Sequence, residues 1–232
     1  MGDVVIRGQG LVLHDASFRY RDTIVVDGVS GCFAPGSLTA IVGPNGAGKT
    51  TLLKGLLGLI GPCRGSVVRS ADGPATAYLA QSREGVDGFP VDVADFVAMG
   101  LWPRIGSLAA VTRPLAARVG QAIAAVGLQG REHHWVGELS GGQFQRVRFA
   151  RLIVQDAPLI LLDEPFAAID RQTTVDLMRV VTGWHAQGRT VIAVLHDLEL
   201  VRAHFPQTLV LAGRVLAWGT TDRSLAVLEP VP

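Results

Sequence analysis

The sequence predicts an α/β protein: a mostly parallel β-sheet core with crossover helices, an N-terminal antiparallel β subdomain and an inserted helical subdomain. Three observations carry that prediction. Gly43-Pro44-Asn45-Gly46-Ala47-Gly48-Lys49-Thr50 stands between an apolar run and a leucine-rich segment, the strand–loop–helix order of a phosphate-binding loop. After Ser140, apolar runs alternate with helix-patterned segments, and parallel strands with crossover helices are the economical solution for such alternation. Between these regions, residues 82–130 turn to Gly, Pro and helical patterning, which marks an insertion.

The elements follow in order. Leu11–Tyr20 and Ile24–Phe33 read as strands, and Pro35-Gly36 as the turn into a third, Ser37–Val42. Lys49–Leu59 reads as a helix whose leucines suit burial, and Ser66–Arg69 and Thr76–Ala80 as short strands. The inserted stretch carries helices over Val91–Met99 and Leu115–Val126. Helix Gly141–Gln155, strand Leu159–Asp163, helix Arg171–Ala186, strand Thr190–Leu195 and helix Asp197–His204 come next. Strands Thr208–Leu211 and Val215–Trp218 flank a turn at Gly213-Arg214, and a short helix falls near Asp222–Leu228. The 232 residues therefore read as one domain. Residues 1–81 and 156–232 form its core, and residues 82–155 its helical subdomain.

Composition narrows the class. The chain is 48% hydrophobic and 18% charged, with a mean hydropathy of +0.33. Its longest apolar runs, such as Leu159–Leu162 and Val191–Leu195, fall far short of the roughly 20 residues a membrane helix needs. Met1–Arg7 lacks the basic start and apolar block of a secretory leader, so a cytosolic protein is expected. A net charge of +1 argues against nucleic acid as a partner. Cys32 and Cys63 make no CxxC and read as reduced thiols. His133-His134 tempts a zinc reading, but adjacent histidines point in different directions and lack further ligands at metal-site spacing; they read as loop residues.

The chemistry-bearing residues cluster in three motifs. In the loop Gly43–Thr50, glycines let backbone N–H groups turn inward around a β-phosphate, and the following helix N-terminus adds a favourable dipole. Lys49 supplies a point charge for β- and γ-phosphate oxygens, the Thr50 hydroxyl a magnesium ligand, and Thr51 a further contact to the nucleotide. The second motif is Asp163-Glu164-Pro165, ending the apolar run Leu159–Leu162. Carboxylates emerging there sit where a parallel sheet places its ligands. Asp163 suits magnesium, held through water, and Glu164 suits a general base that polarises the attacking water. The third motif, Leu139-Ser140-Gly141-Gly142-Gln143, has the form of a helix-opening capping box. Its two glycines cost a helix about 1 kcal/mol each, which makes sense if something approaches the backbone closely.

In this order the motifs resemble the ATP-binding subunits of ABC transporters, over about Gly10 to Gly219. The resemblance makes Leu139–Gln143 the signature motif, so that Ser140, Gly141, Gly142 and Gln143 meet the γ-phosphate of ATP bound to the opposite subunit. It makes Gln81 the Q-loop ligand of magnesium and water, Asp170 the D-loop residue, and His196 the switch histidine on the γ-phosphate. Tyr20 becomes the aromatic that stacks on adenine. Phe144, where a polar residue is usual, and Ala167-Ala168-Ile169-Asp170 for the D-loop depart from the pattern without removing a chemical group.

What the resemblance implies is an ATP- and Mg²⁺-dependent ATPase that forms a homodimer around two nucleotides. It would drive a separate transmembrane permease from the cytoplasmic face of the inner membrane, with a solute-binding protein completing the system. Gly88–Gly100 and Val201–Pro206 look like the corresponding stretches of zinc and manganese uptake ATPases, which makes metal-ion import the expected task. ATPases for hemin, cobalamin or iron-chelate import are the nearest alternative. ABC ATPases of DNA repair or translation are further off, since neither a long coiled coil nor a zinc module nor a second ATPase domain is present. A permease's coupling helix would be met by Phe89-Pro90-Val91 and Val97–Met99.

Overall fold

Residues 10–69, 75–81 and 90–228 of the computed structural model are described. In chain order the elements are β1 (Leu11–Tyr20), β2 (Thr23–Phe33), β3 (Leu38–Val42), α1 (Lys49–Leu57), β4 (Arg64–Val68) and β5 (Thr76–Leu79). There follow α2 (Val93–Ala98), α3 (Trp102–Ile105), α4 (Arg113–Ala125), α5 (Gly141–Gln155), β6 (Leu159–Asp163), α6 (Arg171–Ala186) and β7 (Thr190–Val194). The last are α7 (Leu198–His204), β8 (Gln207–Leu211), β9 (Val215–Thr220) and α8 (Thr221–Leu225). The chain forms two compact units. The first comprises Met1–Thr76, Pro158–Glu164 and Trp184–Pro232, and the second Ala77–Ala157 and Pro165–Gly183.

In the first unit, β3, β6 and β7 are near-continuous apolar runs, buried along almost every residue. Such strands need cover on both faces, as parallel strands have. β6, β7, β3, β8 and β9 lie side by side in that order. The first four run parallel, and β9 returns antiparallel to β8. The parallel run puts the carboxyl ends of β3, β6 and β7 on one edge, where ligands bind in such sheets. A second sheet of order β2-β1-β4 is antiparallel throughout. Asp15, at φ 47°, marks a bulge between the Leu13 and Ala16 pairings. Trp218 of β9 lies over Gly31 of β2, with its ring 4.6 Å from that of Phe33. Trp184 is buried as well.

The second unit is helical. Val93, Val97, Leu101, Val119, Ile123, Phe144 and Val147 are buried in it. Phe144 stands 5.8 Å from Phe96 in a tilted ring pair, an arrangement worth about 1 kcal/mol beyond burial. Its departure from a polar residue is thus a core-packing choice. Val91 and Val97 are 6% and 0% exposed, so these two groups belong to the unit's own core and do not await a permease. Gly88 and Phe89 lie outside the described residues. Trp102 and Trp135 are about half exposed.

Boundaries differ from expectation where caps decide them. α1 stops at Leu57 because Gly58 adopts φ 78°. The Gly58 N–H donates to Gly55 O and the Leu59 N–H to Lys54 O, each at 3.0 Å, a Schellman stop. α2 begins after Asp92, whose side chain accepts the Asp95 N–H at 2.8 Å. α4 begins two residues early because Pro114 is compatible with a first turn.

Candidate nucleotide site

The loop Gly43–Gly48 runs from the end of β3 into α1. Its tip, Pro44-Asn45-Gly46, is exposed. Gly43 and Gly48 have φ 152° and 90°. A Cβ would lie 1.9 Å from Leu211 O at the first and 2.4 Å from Val26 Cγ2 at the second; no side chain fits either. The loop is braced from outside by Gly213, whose N–H donates to Ala47 O at 3.1 Å, while its carbonyl accepts the Asp27 N–H at 2.7 Å. Gly213 entered the sequence reading only as a turn.

Lys49 is 6% exposed. Its ammonium donates to Gly43 O at 2.8 Å and Pro44 O at 2.9 Å, so the charge sits over the loop's own backbone. Desolvation pulls its pKa below the ordinary 10.5, against the opposing pull of Glu164 and Asp163. The positive charge is thus held where burial makes it costly, which favours an anionic ligand. Thr50 Oγ1 donates to Asp163 Oδ1 at 3.2 Å. A hydroxyl and a buried carboxylate side by side are hard oxygen donors of the kind Mg²⁺ takes alongside phosphate oxygens. These residues fit that ion. Thr51 is half-buried in the same first turn of α1.

Glu164 follows Asp163 in an unusual conformation. Its φ is 49°, left-handed backbone that costs an L-residue about 1–2 kcal/mol. Its N–H donates across to Val194 O at 3.2 Å, and Leu195 N–H donates to Ile41 O at 3.1 Å. The turn therefore ties the ends of β6, β7 and β3 together. It also aims the side chain at His196, whose Nε2 stands 2.6 Å from Glu164 Oε1. The ring tautomer sets the direction of this bond, an Nε2–H donating to the carboxylate. The sequence named both residues but did not pair them. Tyr20 ends β1, 59% exposed, with the Arg21 guanidinium 5.7 Å from its ring centre. An open aromatic face of this kind suits stacking on a base.

The remaining sequence-predicted residues lie in the second unit. Ser140 and Gln143 form the capping box at the start of α5: Ser140 Oγ accepts the Gln143 N–H at 3.3 Å, and Gln143 Oε1 accepts the Ser140 N–H at 3.1 Å. Ser140 and Gly141 are exposed at that end, with Gly142 half-buried. Asp170 caps α6, its carboxylate accepting the Thr173 N–H at 2.8 Å and the Thr173 hydroxyl at 2.7 Å. Those bonds hold it below the usual carboxylate range. Gln81 is exposed at the end of the segment that follows β5. His133 Nδ1 lies 3.5 Å from Asp92 Oδ2. Sequence reasoning missed three neighbours on α5. Gln145 Nε2 donates to Pro165 O at 2.6 Å, Arg148 donates to Ala80 O and to Gln145 Oε1, and Arg146 donates to Thr173 and Asp176. Apart from the Arg148–Gln145 bond within α5, these contacts join residues 20 or more positions apart, so no local pattern foretells them.

Fold and loop define a P-loop nucleotide-binding protein. Residues 26–167 match the ABC transporter family, and the chain belongs to it. It is therefore an ABC ATPase, and the nucleotide is ATP. It is 38% identical over 222 residues to the manganese transport system ATP-binding protein MntB of Listeria monocytogenes, covering 93% of this chain and 90% of that one. It is 36% identical to the zinc transport system ATP-binding protein TroB of Treponema pallidum, over 94% of this chain and 84% of that one. The hemin import ATP-binding protein HmuV of Rhizobium meliloti is 37% identical over 88% of this chain and 83% of that one. Among solved structures, a metal-chelate type ABC transporter in an inward-facing conformation superposes with a TM-score of 0.83 at 27% identity, over 93% of this chain and 84% of that one. A nucleotide-free ATP-binding cassette, 20% identical over 96% of both chains, shares the fold with a TM-score of 0.81.

Proposed function

We propose that this chain is the ATP-hydrolysing subunit of a metal-ion importer, and that zinc or manganese is the cargo. The observation that carries the ATPase half is the cluster at one sheet edge: Lys49, Thr50, Asp163 and the Glu164–His196 pair, all in the first unit. Lys49 and the loop amides bind the β- and γ-phosphates, and Tyr20 stacks on the base. Thr50 and Asp163 would hold Mg²⁺, which supplies charge neutralisation on the phosphates when bound. Glu164 orients and deprotonates the attacking water. His196, bonded to it, fixes its side chain and faces the γ-phosphate.

Ser140, Gly141, Gly142 and Gln143 would complete the site on the partner subunit, with Asp170 beside them. One chain then forms one cassette and two chains a sandwich around two ATP molecules. The cargo reading rests on the named functions of MntB and TroB, the manganese and zinc relatives, and on the Gly88–Gly100 and Val201–Pro206 resemblance. Hemin import is the second reading, favoured by the similarity to HmuV. The ATPase would work peripherally at the cytoplasmic face of the inner membrane, bound to a permease and supplied by a solute-binding protein. In keeping with that, no helix among the described residues is long and apolar enough to cross a membrane.

The test is Glu164→Gln. Turnover should fall by about 10²–10⁴-fold, the range for a lost general base, while an ATP-bound dimer accumulates on size exclusion. Undiminished phosphate release would sink the assignment. Uptake of radioactive zinc, manganese or hemin by cells carrying and lacking the gene then decides the cargo.

A further inference from the structure

Arg146 lies one turn into α5, past the signature motif. Its guanidinium donates to three acceptors: Val126 O at 2.9 Å, Thr173 Oγ1 at 3.3 Å and Asp176 Oδ2 at 2.7 Å. Thr173, only 5% exposed, passes the connection on through its bonds to both oxygens of Asp170. Asp176 is itself fixed by Gln172 Nε2 at 3.0 Å and Arg179 at 2.8 Å. The signature glycine closes the circuit. A Cβ on Gly142 would sit 3.3 Å from Thr173 Oγ1, a few tenths of an ångström tight, and 3.4 Å from Asp170 Oδ2, an ordinary contact. All of these groups belong to the second unit.

We propose that Arg146, Thr173 and Asp176 are positioning residues that lock the signature loop and Asp170 into one block, so that both meet the partner-bound nucleotide at a fixed spacing. This rests on the sandwich reading above. The segment carrying Asp170 is irregular backbone, with Ala168 at φ 55°, and ordering such a loop costs conformational entropy at every residue. If that cost fell at the moment of dimerisation it would be subtracted from the association energy. The guanidinium fork, with its fixed planar donors, meets the cost beforehand. Gly142 packs directly against its own chain's Thr173 and Asp170, so the signature loop and the block are in contact. Because a two-fold sandwich uses the block twice, a roughly threefold loss per site becomes about tenfold in the dimer.

The experiment measures ATP-driven dimerisation by sedimentation in the Glu164→Gln background, with ATP binding to the monomer and thermal midpoint alongside. Thr173→Val removes the hydroxyl and keeps the shape; Thr173→Ser keeps the hydroxyl. Thr173→Val should weaken dimerisation at least tenfold, leave monomer ATP affinity within about twofold, and be rescued by Thr173→Ser. Asp176→Asn, on the unit's surface, should act in the same direction and serves if Thr173→Val folds poorly. Dimerisation of both variants equal to that of the parent would overturn the proposal. So would a parallel loss of monomer ATP binding, which marks a merely structural role. A Glu164→Gln parent that stays monomeric at saturating ATP instead removes the sandwich reading, a result distinguishable because it precedes any change at Thr173.

Discussion

Glu164 sits in left-handed backbone with its carboxylate bonded to His196, so two residues 32 positions apart act as one group. Removing the imidazole in His196→Ala should lower kcat by about 10²-fold with a smaller change in KM, since the binding groups around Lys49 are untouched; steady-state kinetics check it. Lys49→Ala should raise the Kd for ATP by at least tenfold, measured by filter binding, because it removes the positive charge held over the loop's backbone. Asp176 titrates in a predictable window. Arg146 lowers its pKa from the ordinary 3.8, so its contribution stands in full above that value and fades as pH falls through the lower folded value. The difference in thermal midpoint between the wild type and Asp176→Asn should therefore hold constant from about pH 8 to pH 5 and shrink below about pH 4. The juxtaposition of Lys49, Thr50 and Asp163 was legible in the sequence, because the glycine loop leads into Lys49 and Thr50 and the acidic residue ends an apolar strand of the same sheet. Arg146 was not, because its partners Thr173 and Asp176 lie 27 and 30 residues away.

α5 shows how one element serves two purposes. Its capping box, built from exposed Ser140 and half-buried Gln143, satisfies the first-turn amides, and the proposed contact to the partner's ATP uses the same residues. Ser140→Ala should cost about 1 kcal/mol, within the 0.5–2 range for a lost N-cap, and the thermal midpoint reads it. Helices of strong period, such as α5 and α6, were legible to the residue. The short α3 was not, for a four-residue turn offers no periodicity to detect. Val91 and Val97 show a different limit. An apolar residue on an amphipathic stretch has the same pattern whether it faces its own core or another protein. Only the packing of α2 against α4 and α5 decides.

For the molecule as a whole, the parallel order β6-β7-β3-β8 gathers residues from distant parts of the chain at one edge. That topology was legible from the strand–helix alternation after Ser140. The division of the chain was less so. The second unit takes in Pro165–Gly183 along with Ala77–Ala157, so Asp170 shares a unit with Leu139–Gln143 although β6 separates them in sequence. A core substitution such as Leu53→Ala, fully buried in α1, should cost about 2–5 kcal/mol and lower the thermal midpoint. At temperatures where it remains folded, it should leave ATP affinity close to normal.

The tryptophans are divided between the units, and this has a spectroscopic consequence. Trp184 and Trp218 belong to the first unit, the former buried and the latter packed on Gly31 and Phe33; Trp102 and Trp135, about half exposed, belong to the second. Excited at long wavelength, the protein reports on both with no added label. Collisional quenching by acrylamide should extinguish a red-shifted component from the second unit first and spare a blue-shifted one from Trp184 of the first. A conformational signal from nucleotide binding can thereby be assigned to one unit by which component it moves.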